Sequence, residues 1–182
     1  MDIDWNTVTN GIIEVICTDM NGCQSKTITY NIVKIIACGD ITVTNITASN
    51  FANTFNSGNP VFSSAQTIAI NDTFDVDTDF TFLICPKIIM GPDALFNIKD
   101  SVFLTIDEDS IKAGCNYMWD AFHIQPAGSL IVKNNSVIKD AQQSIVSING
   151  GRYDISTNSV FDRNYKDIVV RPFAGNHQGS IR

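Results

Sequence analysis

Several short stretches carry residue types that do chemistry in other proteins. Asp75-Val76-Asp77-Thr78-Asp79 has the alternating aspartates that open a calcium-binding loop. Such a loop needs glycine at its sixth position and a bidentate glutamate at its twelfth. Phe80 and Pro86 stand there instead, which rules the loop out. The alternation predicts a strand with its aspartates outward and Phe74, Val76, Phe80 and Phe82 in the core or its cap. Cys115, Asp120 and His123 bring together a thiol, a carboxylate and an imidazole, the ingredients of an activated nucleophile. His123 follows the apolar Phe122, so alternation turns its ring outward, and a surface histidine is the expected role. Tyr117 and Trp119 lie in the same segment and are the candidates for carbohydrate binding. An exposed ring there would stack on a sugar. The same ring covering the side of a core is the preferred alternative for Trp119.

Other chemistry is excluded by count. Five cysteines, Cys17, Cys23, Cys38, Cys85 and Cys115, include no C-x-x-C pair, and the chain has two histidines, so no zinc site is expected. The cysteines allow one or two disulfides with a thiol left over. Asn45-Ile46-Thr47, Asn71-Asp72-Thr73 and Asn134-Asn135-Ser136 match the glycosylation acceptor pattern, but the third has a better structural explanation below. A net charge of -7 repels phosphate backbones, so nucleic acid is not an expected partner. No apolar run approaches the roughly 18 residues of a membrane helix, so no insertion of that kind is expected. The start, Met1-Asp2-Ile3-Asp4, lacks the basic region of a signal peptide. If the protein is exported, its signal is expected upstream.

The elements that must carry these residues read as β. Hydrophobic residues make up 44%, which suffices for a packed core, while only 17% are charged, so Asn, Ser and Thr must supply the polar surface. Residues 1–36 hold two β-branched runs, Gly11 to Cys17 and Lys26 to Ile32, around Asn21-Gly22, a strong hairpin signal. One hairpin is unstable alone, so partner strands are expected before Met1. Residues 37–64 read as a linker and possible cap, with Ile41-Thr42-Val43 a short strand and Asn50 to Ser64 a loop.

Residues 65–182 contain a repeat. Gly128-Ser-Leu-Ile-Val-Lys-Asn-Asn-Ser-Val recurs 23 residues later as Gly151-Arg-Tyr-Asp-Ile-Ser-Thr-Asn-Ser-Val. An earlier copy, Leu104-Thr-Ile-Asp-Glu-Asp-Ser-Ile, lies 26 residues before Leu130, with room for a bulge at Asn116 to Asp120. Aligned so, Leu104, Leu130 and Tyr153 form one apolar column, Ile106, Val132 and Ile155 a second, and Ile111, Val137 and Val160 a third. Asp109, Asn135 and Asn158 form a polar ladder, followed by Ser110, Ser136 and Ser159. Phe122, Ile145 and Ile168 start a further strand in each coil. Stacked β-coils build a continuous core from such columns, and a polar ladder lets each coil turn without stranding backbone groups.

The hairpin Val15-Ile-Cys-Thr-Asp-Met-Asn-Gly-Cys23 resembles the closing hairpin of Ig-like domains of the PKD type. The stretches Gly128 to Val137, Lys139-Asp-Ala-Gln142 and Val160-Phe-Asp-Arg-Asn-Tyr165 resemble the right-handed parallel β-helix of the pectin-lyase-like superfamily. The likeness is nearest to β-helices of large secreted or surface proteins of Bacteroidetes-type bacteria. It implies an all-β solenoid preceded by a partial Ig-like module, a secreted or cell-surface location, and polysaccharide or surface glycans as partners. Enzymes of this superfamily use aspartates for calcium and an Arg or Lys as base. The candidates here would be Asp107, Glu108, Asp109, Asp140, Asp162 and Arg163. Asp107 aligns with Lys133 and Ser156, so no acidic column runs along the face. Asp140 and Arg163, 23 residues apart, read as a surface ion pair.

No catalytic residue, metal or cofactor is therefore expected. Calcium enters only with the alternative reading, a polysaccharide lyase or glycoside hydrolase whose groove lies partly beyond Arg182. The favoured reading is a non-catalytic extracellular or cell-surface scaffold or adhesin.

Overall fold

The computed structural model describes residues 10–15, 28–33, 39–85, 87–114, 116–172, 175 and 179–181. The chain divides into two compact units, Met1–Ile35 and Ile36–Arg182. In the first, β1 (Asn10–Val15) pairs antiparallel with β2 (Ile28–Val33). Val15 stands opposite Ile28, the register that a two-residue turn at Asn21-Gly22 sets. The turn itself lies outside the described residues.

The second unit is a parallel β-solenoid of six coils with three strands each. The first coil comprises β3 (Ile41–Val43), β4 (Ile46–Thr47), helix α1 (Ala48–Phe55) and β5 (Val61–Phe62). The second comprises β6 (Ile68–Ile70), β7 (Thr73–Val76) and β8 (Phe80–Leu83). The third comprises β9 (Ile88–Met90), β10 (Leu95–Ile98) and β11 (Phe103–Asp107). The fourth comprises β12 (Ser110–Ala113), β13 (Trp119–Ile124) and β14 (Ser129–Lys133). The fifth comprises β15 (Val137–Lys139), β16 (Ala141–Ser147) and β17 (Arg152–Ile155). The sixth comprises β18 (Val160–Asp162), β19 (Lys166–Val170) and β20 (Gly179–Ile181). The first strands of all coils form one sheet, the second strands another and the third strands a third.

Alternation puts every second side chain inside. Leu104, Leu130 and Tyr153 share a register position, as do Ile106, Val132 and Ile155, and Phe122, Ile145 and Ile168, as the repeat predicts. Phe74, Val76, Phe80 and Phe82 are buried, also as expected. The third proposed column is corrected. Ile111 stands beside Ile88 and Ile138, and Ile138 beside Phe161. Val137 faces out, and Val160 is 48% exposed. The cause is corner length. Two residues join β11 to β12, whereas three join β14 to β15, which slips the alignment by one.

The glycines that open the repeated motif mark a steric limit. A Cβ at Gly128 would lie 2.7 Å from the Lys99 carbonyl oxygen, and one at Gly151 would lie 2.5 Å from that of Ile124. At these two positions the coil passes too close to its predecessor for a side chain, whereas Val102, the equivalent residue one coil before Gly128, has room for one.

Helix α1 occupies the segment expected to be a loop. Thr47 caps it by accepting from the Asn50 N–H at 3.2 Å. Asp77 accepts from Ser49 N–H at 3.0 Å and from Ser49 Oγ at 2.5 Å. Phe51 drops into the core, its ring 5.0 Å from Phe62 and 5.5 Å from Phe74. Burying one such ring contributes about 2–3 kcal/mol, which outweighs the weak helical preference of the Asn-rich sequence around it.

Candidate functional site

Backbone sterics concentrate polar side chains at the corner between the third-sheet and first-sheet strands. The chain reverses there through left-handed residues: Asn134 and Asn135 (φ 55° and 61°), Thr157 and Asn158 (53° and 58°), and Glu108 (59°). Asn tolerates this conformation better than other side chains, which accounts for Asn134, Asn135 and Asn158, while the β-branched Thr157 adopts it at a cost. The expected ladder shifts by one residue. Asp109, Ser136 and Ser159 are the equivalent positions, shown by Val137 N–H donating to the Asp109 carbonyl and Val160 N–H to that of Ser136, both at 2.8 Å. Ser136 Oγ lies 2.6 Å from the Lys133 carbonyl, and Ser159 Oγ lies 2.6 Å from that of Ser156. These hydroxyls close the turns, while Asn135 and Asn158 are exposed and Ser110 faces outward.

Asp109 replaces that serine with a carboxyl at 2% exposure. Its Oδ1 accepts from the Cys85 N–H one coil earlier, its own N–H donates to Ser136 Oγ at 3.3 Å, and Oδ2 has no partner among the described residues. Burial raises the carboxyl to about 7, opposed by the Cys85 N–H and reinforced by the charges of Asp107 and Glu108. Cys85 is a free, buried thiol raised to about 12 by burial and by Asp109. A thiol that hard to ionise is a poor nucleophile. Outside this corner lies a shallow notch of about 430 Å³ bordered by Ile84, Glu108 and Val137.

The outer face of the third sheet presents a different surface. Phe103 is 46% exposed and sits between two depressions of about 310 and 340 Å³. Ile131 borders both, with Arg152 and Asp154 on one side and Val61 and Asp79 on the other. Sequence reasoning passed over Phe103. The signal was present, because Phe103 precedes the inward Leu104 and must therefore face out.

The aromatic candidates of the sequence are placed elsewhere. Trp119 is fully buried, its indole N–H donating to the Lys139 carbonyl at 2.8 Å and its ring edge-on to Phe122 at 5.3 Å. It covers the side of the stack, the preferred of its two expected roles, and offers no face to a sugar. Tyr117 packs against the core and donates its hydroxyl to the Met90 carbonyl at 3.0 Å. Both rings are held by the bulge rather than displayed on it.

The charged candidates are brought together only in part. Arg163 Nη2 lies 2.8 Å from Asp140 Oδ1, as the 23-residue spacing predicts, and its Nε lies 3.9 Å from Asp162. This group sits at the corner between the first and second sheets, away from Asp107, which pairs with Lys133 at 3.2 Å across the register. His123 Nε2 lies 3.6 Å from Asp120 Oδ2. Burial lowers the imidazole pKa, opposed by Asp120 and aided by Arg171. Cys115 lies outside the described residues, as do Cys17, Cys23 and Cys38. Among the described residues no three His, Cys, Asp or Glu side chains are grouped as a metal site.

This architecture defines the class of the protein: a parallel β-solenoid with three stacked sheets. Beyond the class, no family model matches the sequence, no curated protein matches it, and no solved structure matches the fold.

Proposed function

We propose that this chain is a non-catalytic scaffold of an extracellular or cell-surface protein, in which the solenoid acts as a stalk or as an adhesive face for glycans. On this reading residues 1–36 close an Ig-like module of the PKD type. One observation carries the proposal: four carboxylates spread along the coils are each tied to partners of their own rather than aimed at a common point. Asp75 is tied to Lys99 and Asn97, Asp77 to the start of α1, Asp107 to Lys133 and Asn134, and Asp140 to Arg163. A hydrolytic or lyase site needs such groups to converge on one reacting atom. The exposed ring of Phe103 provides the stacking platform, because an apolar ring face pairs with the apolar face of a pyranose.

The test is a glycan-binding panel run on the soluble chain and on Phe103→Ala, alongside an assay for released sugars. Binding that is lost in the variant, without sugar release, is the expected result. Release of unsaturated or reducing sugars would replace this reading with the lyase or hydrolase one. No binding to any glycan would remove the adhesive role and leave the stalk.

A further inference from the structure

The outer face of the third sheet carries its side chains in rows along the solenoid axis. One row holds Phe103, Ser129 and Arg152, from the third, fourth and fifth coils. Asp79 of the second coil extends it, because Asp79 precedes Phe80 as Phe103 precedes Leu104, and its carboxylate accepts from the Phe103 N–H at 2.9 Å. Two residues further along the strands, a second row holds Thr81, Thr105, Ile131 and Asp154. A third row sets Asp107 beside Lys133.

The first row is charged at its ends and uneven in its middle. Asp79 and Arg152 are exposed, and neither forms an ion pair among the described residues. Between them the half-exposed ring of Phe103 projects, while the small Ser129 leaves a depression of about 310 Å³ that Ile131 and Arg152 also border. A projecting ring, a hollow one coil away and opposite charges at the two ends make a surface complementary to its own reversed copy.

We propose that the outer face of the third sheet is an interface between two copies of this chain, packed face to face with their solenoid axes antiparallel. The two-fold axis runs along the strands, between the third and fourth coils. The third coil of one copy then covers the fourth of the other, and the second covers the fifth. Asp79 meets Arg152 of the second copy, Phe103 enters the hollow over Ser129, and Asp107 meets Lys133, so opposite charges face each other throughout. Each contact occurs twice. A two-fold axis along the solenoid would instead keep the coils level and press Phe103 onto Asp107, burying a carboxylate under an apolar ring. Charge therefore selects the antiparallel pair. Six strands about 4.8 Å apart, each presenting about five residues of about 3.3 Å, cover roughly 480 Å² per copy. The two copies together bury roughly 960 Å², the size of a small, reversible interface. The ring is the one that the proposed function gives to glycans, so sugar and second copy compete for it. The dimer does not rest on that reading, because its mass is measured without sugar.

The experiment is sedimentation equilibrium of the full chain across the micromolar range, with reductant present so that no disulfide joins the copies. The expected result is a reversible shift from 20.0 kDa to twice that mass. Phe103→Ala should weaken the dimer by about thirtyfold, and Arg152→Glu by about tenfold or more. Asp79→Arg should likewise be monomeric alone. Mixed in equal amounts, Asp79→Arg and Arg152→Glu should form a heterodimer, because each contact then joins opposite charges. All three side chains are exposed, and a thermal melt checks that the variants remain folded. If Asp79→Arg melts early, having lost its bond to the Phe103 N–H, the other two variants decide. A monomer at every concentration would overturn the proposal and leave the ring to sugar alone. A dimer that Phe103→Ala and Arg152→Glu leave intact would overturn it by placing the contact on another face. Folded single variants that stay monomeric when mixed would overturn the antiparallel register. None of these failures touches the non-catalytic reading, which stands on the sugar-release assay.

Discussion

Two corners of the same solenoid solve one problem with different chemistry. Between β14 and β15, three residues turn the chain, and the buried hydroxyl of Ser136 satisfies a carbonyl of its own turn. Between β11 and β12, two residues do so, and Asp109 reaches back to the Cys85 N–H of the previous coil. The longer turn is neutral at every pH, and its serine hydroxyl also meets the previous coil, at the Ile106 carbonyl and the Asp109 N–H. The shorter one borrows a donor from its neighbour and leaves an unpaired carboxyl oxygen in a dry place. Shortening the corner by one residue thus gives up the bond that closes the turn on itself and adds a titrating group to the core.

The comparison rests on the two corners sharing their inward columns, and Val132→Asp breaks that premise most severely. Val132 is fully buried between Ile106 and Ile155. A carboxyl there has no partner, and the expected loss is at least about 4 kcal/mol, enough to unfold the stack in a denaturant titration. A variant that melts like wild type would disprove the column.

Asp109→Ser sharpens the contrast by giving the short corner the residue of the long ones. In the unfolded chain the carboxyl ionises near 3.8, and in the fold near 7. Below pH 4 both states hold the proton, and the carboxyl contributes its full stability. Between pH 4 and 7 only the unfolded state releases it, so stability falls as pH rises. Above 7 both are ionised and the loss is complete, up to about 4 kcal/mol. The variant should lack this slope. At pH 8 it should be more stable than wild type by about 2 kcal/mol, and at pH 4 less stable, because its shorter side chain gives up the bond to Cys85. Parallel pH–stability curves would show that Asp109 does not titrate in this range.

Much of this was legible in the residues. The 23-residue recurrence of Leu130 as Tyr153 and of Val132 as Ile155 fixes two columns, because a core tolerates only apolar side chains at a repeated inward position. The corner was read one residue out of place for a physical reason. Asn-Asn-Ser and Glu-Asp-Ser look equivalent as strings, but a two-residue and a three-residue turn place the following serine on opposite faces. Ser110 and Ser136 therefore do different things. Helix α1 was missed because its polar residues resemble a loop, and only the contacts of Phe51 with four other phenylalanines of the core reveal what holds it. Trp119 was legible: covering the side of the stack was its preferred role, and it is buried edge-on to Phe122.

Ser136→Ala tests the longer corner. It removes a donor from the Lys133 carbonyl and an acceptor from the Asp109 N–H at a fully buried site. The expected cost is about 2 kcal/mol, the price of one bond plus a stranded group. Because Asp109 shares this contact, the variant should also alter the pH dependence of wild type, and a double-mutant cycle with Asp109→Ser should be non-additive. Additive losses would mean that the two corners are independent.

The smallest expected effect belongs to Ser159→Ala, which is chemically the same substitution. Ser159 Oγ makes the same bond, to the Ser156 carbonyl at 2.6 Å. It differs in burial: Ser159 is partly exposed and Ser136 is not. Water can replace the lost donor at the Ser156 carbonyl, so the cost should be about 0.5 kcal/mol, with no change in pH dependence because no acid adjoins it in register. Measuring both serine variants by urea titration at one pH separates two explanations of the ladder. If turn closure alone matters, the two losses are equal, since the bonds have the same length. If desolvation sets the value of the bond, Ser136 costs several times more, and the corner derives its stability from the coils stacked on either side of it.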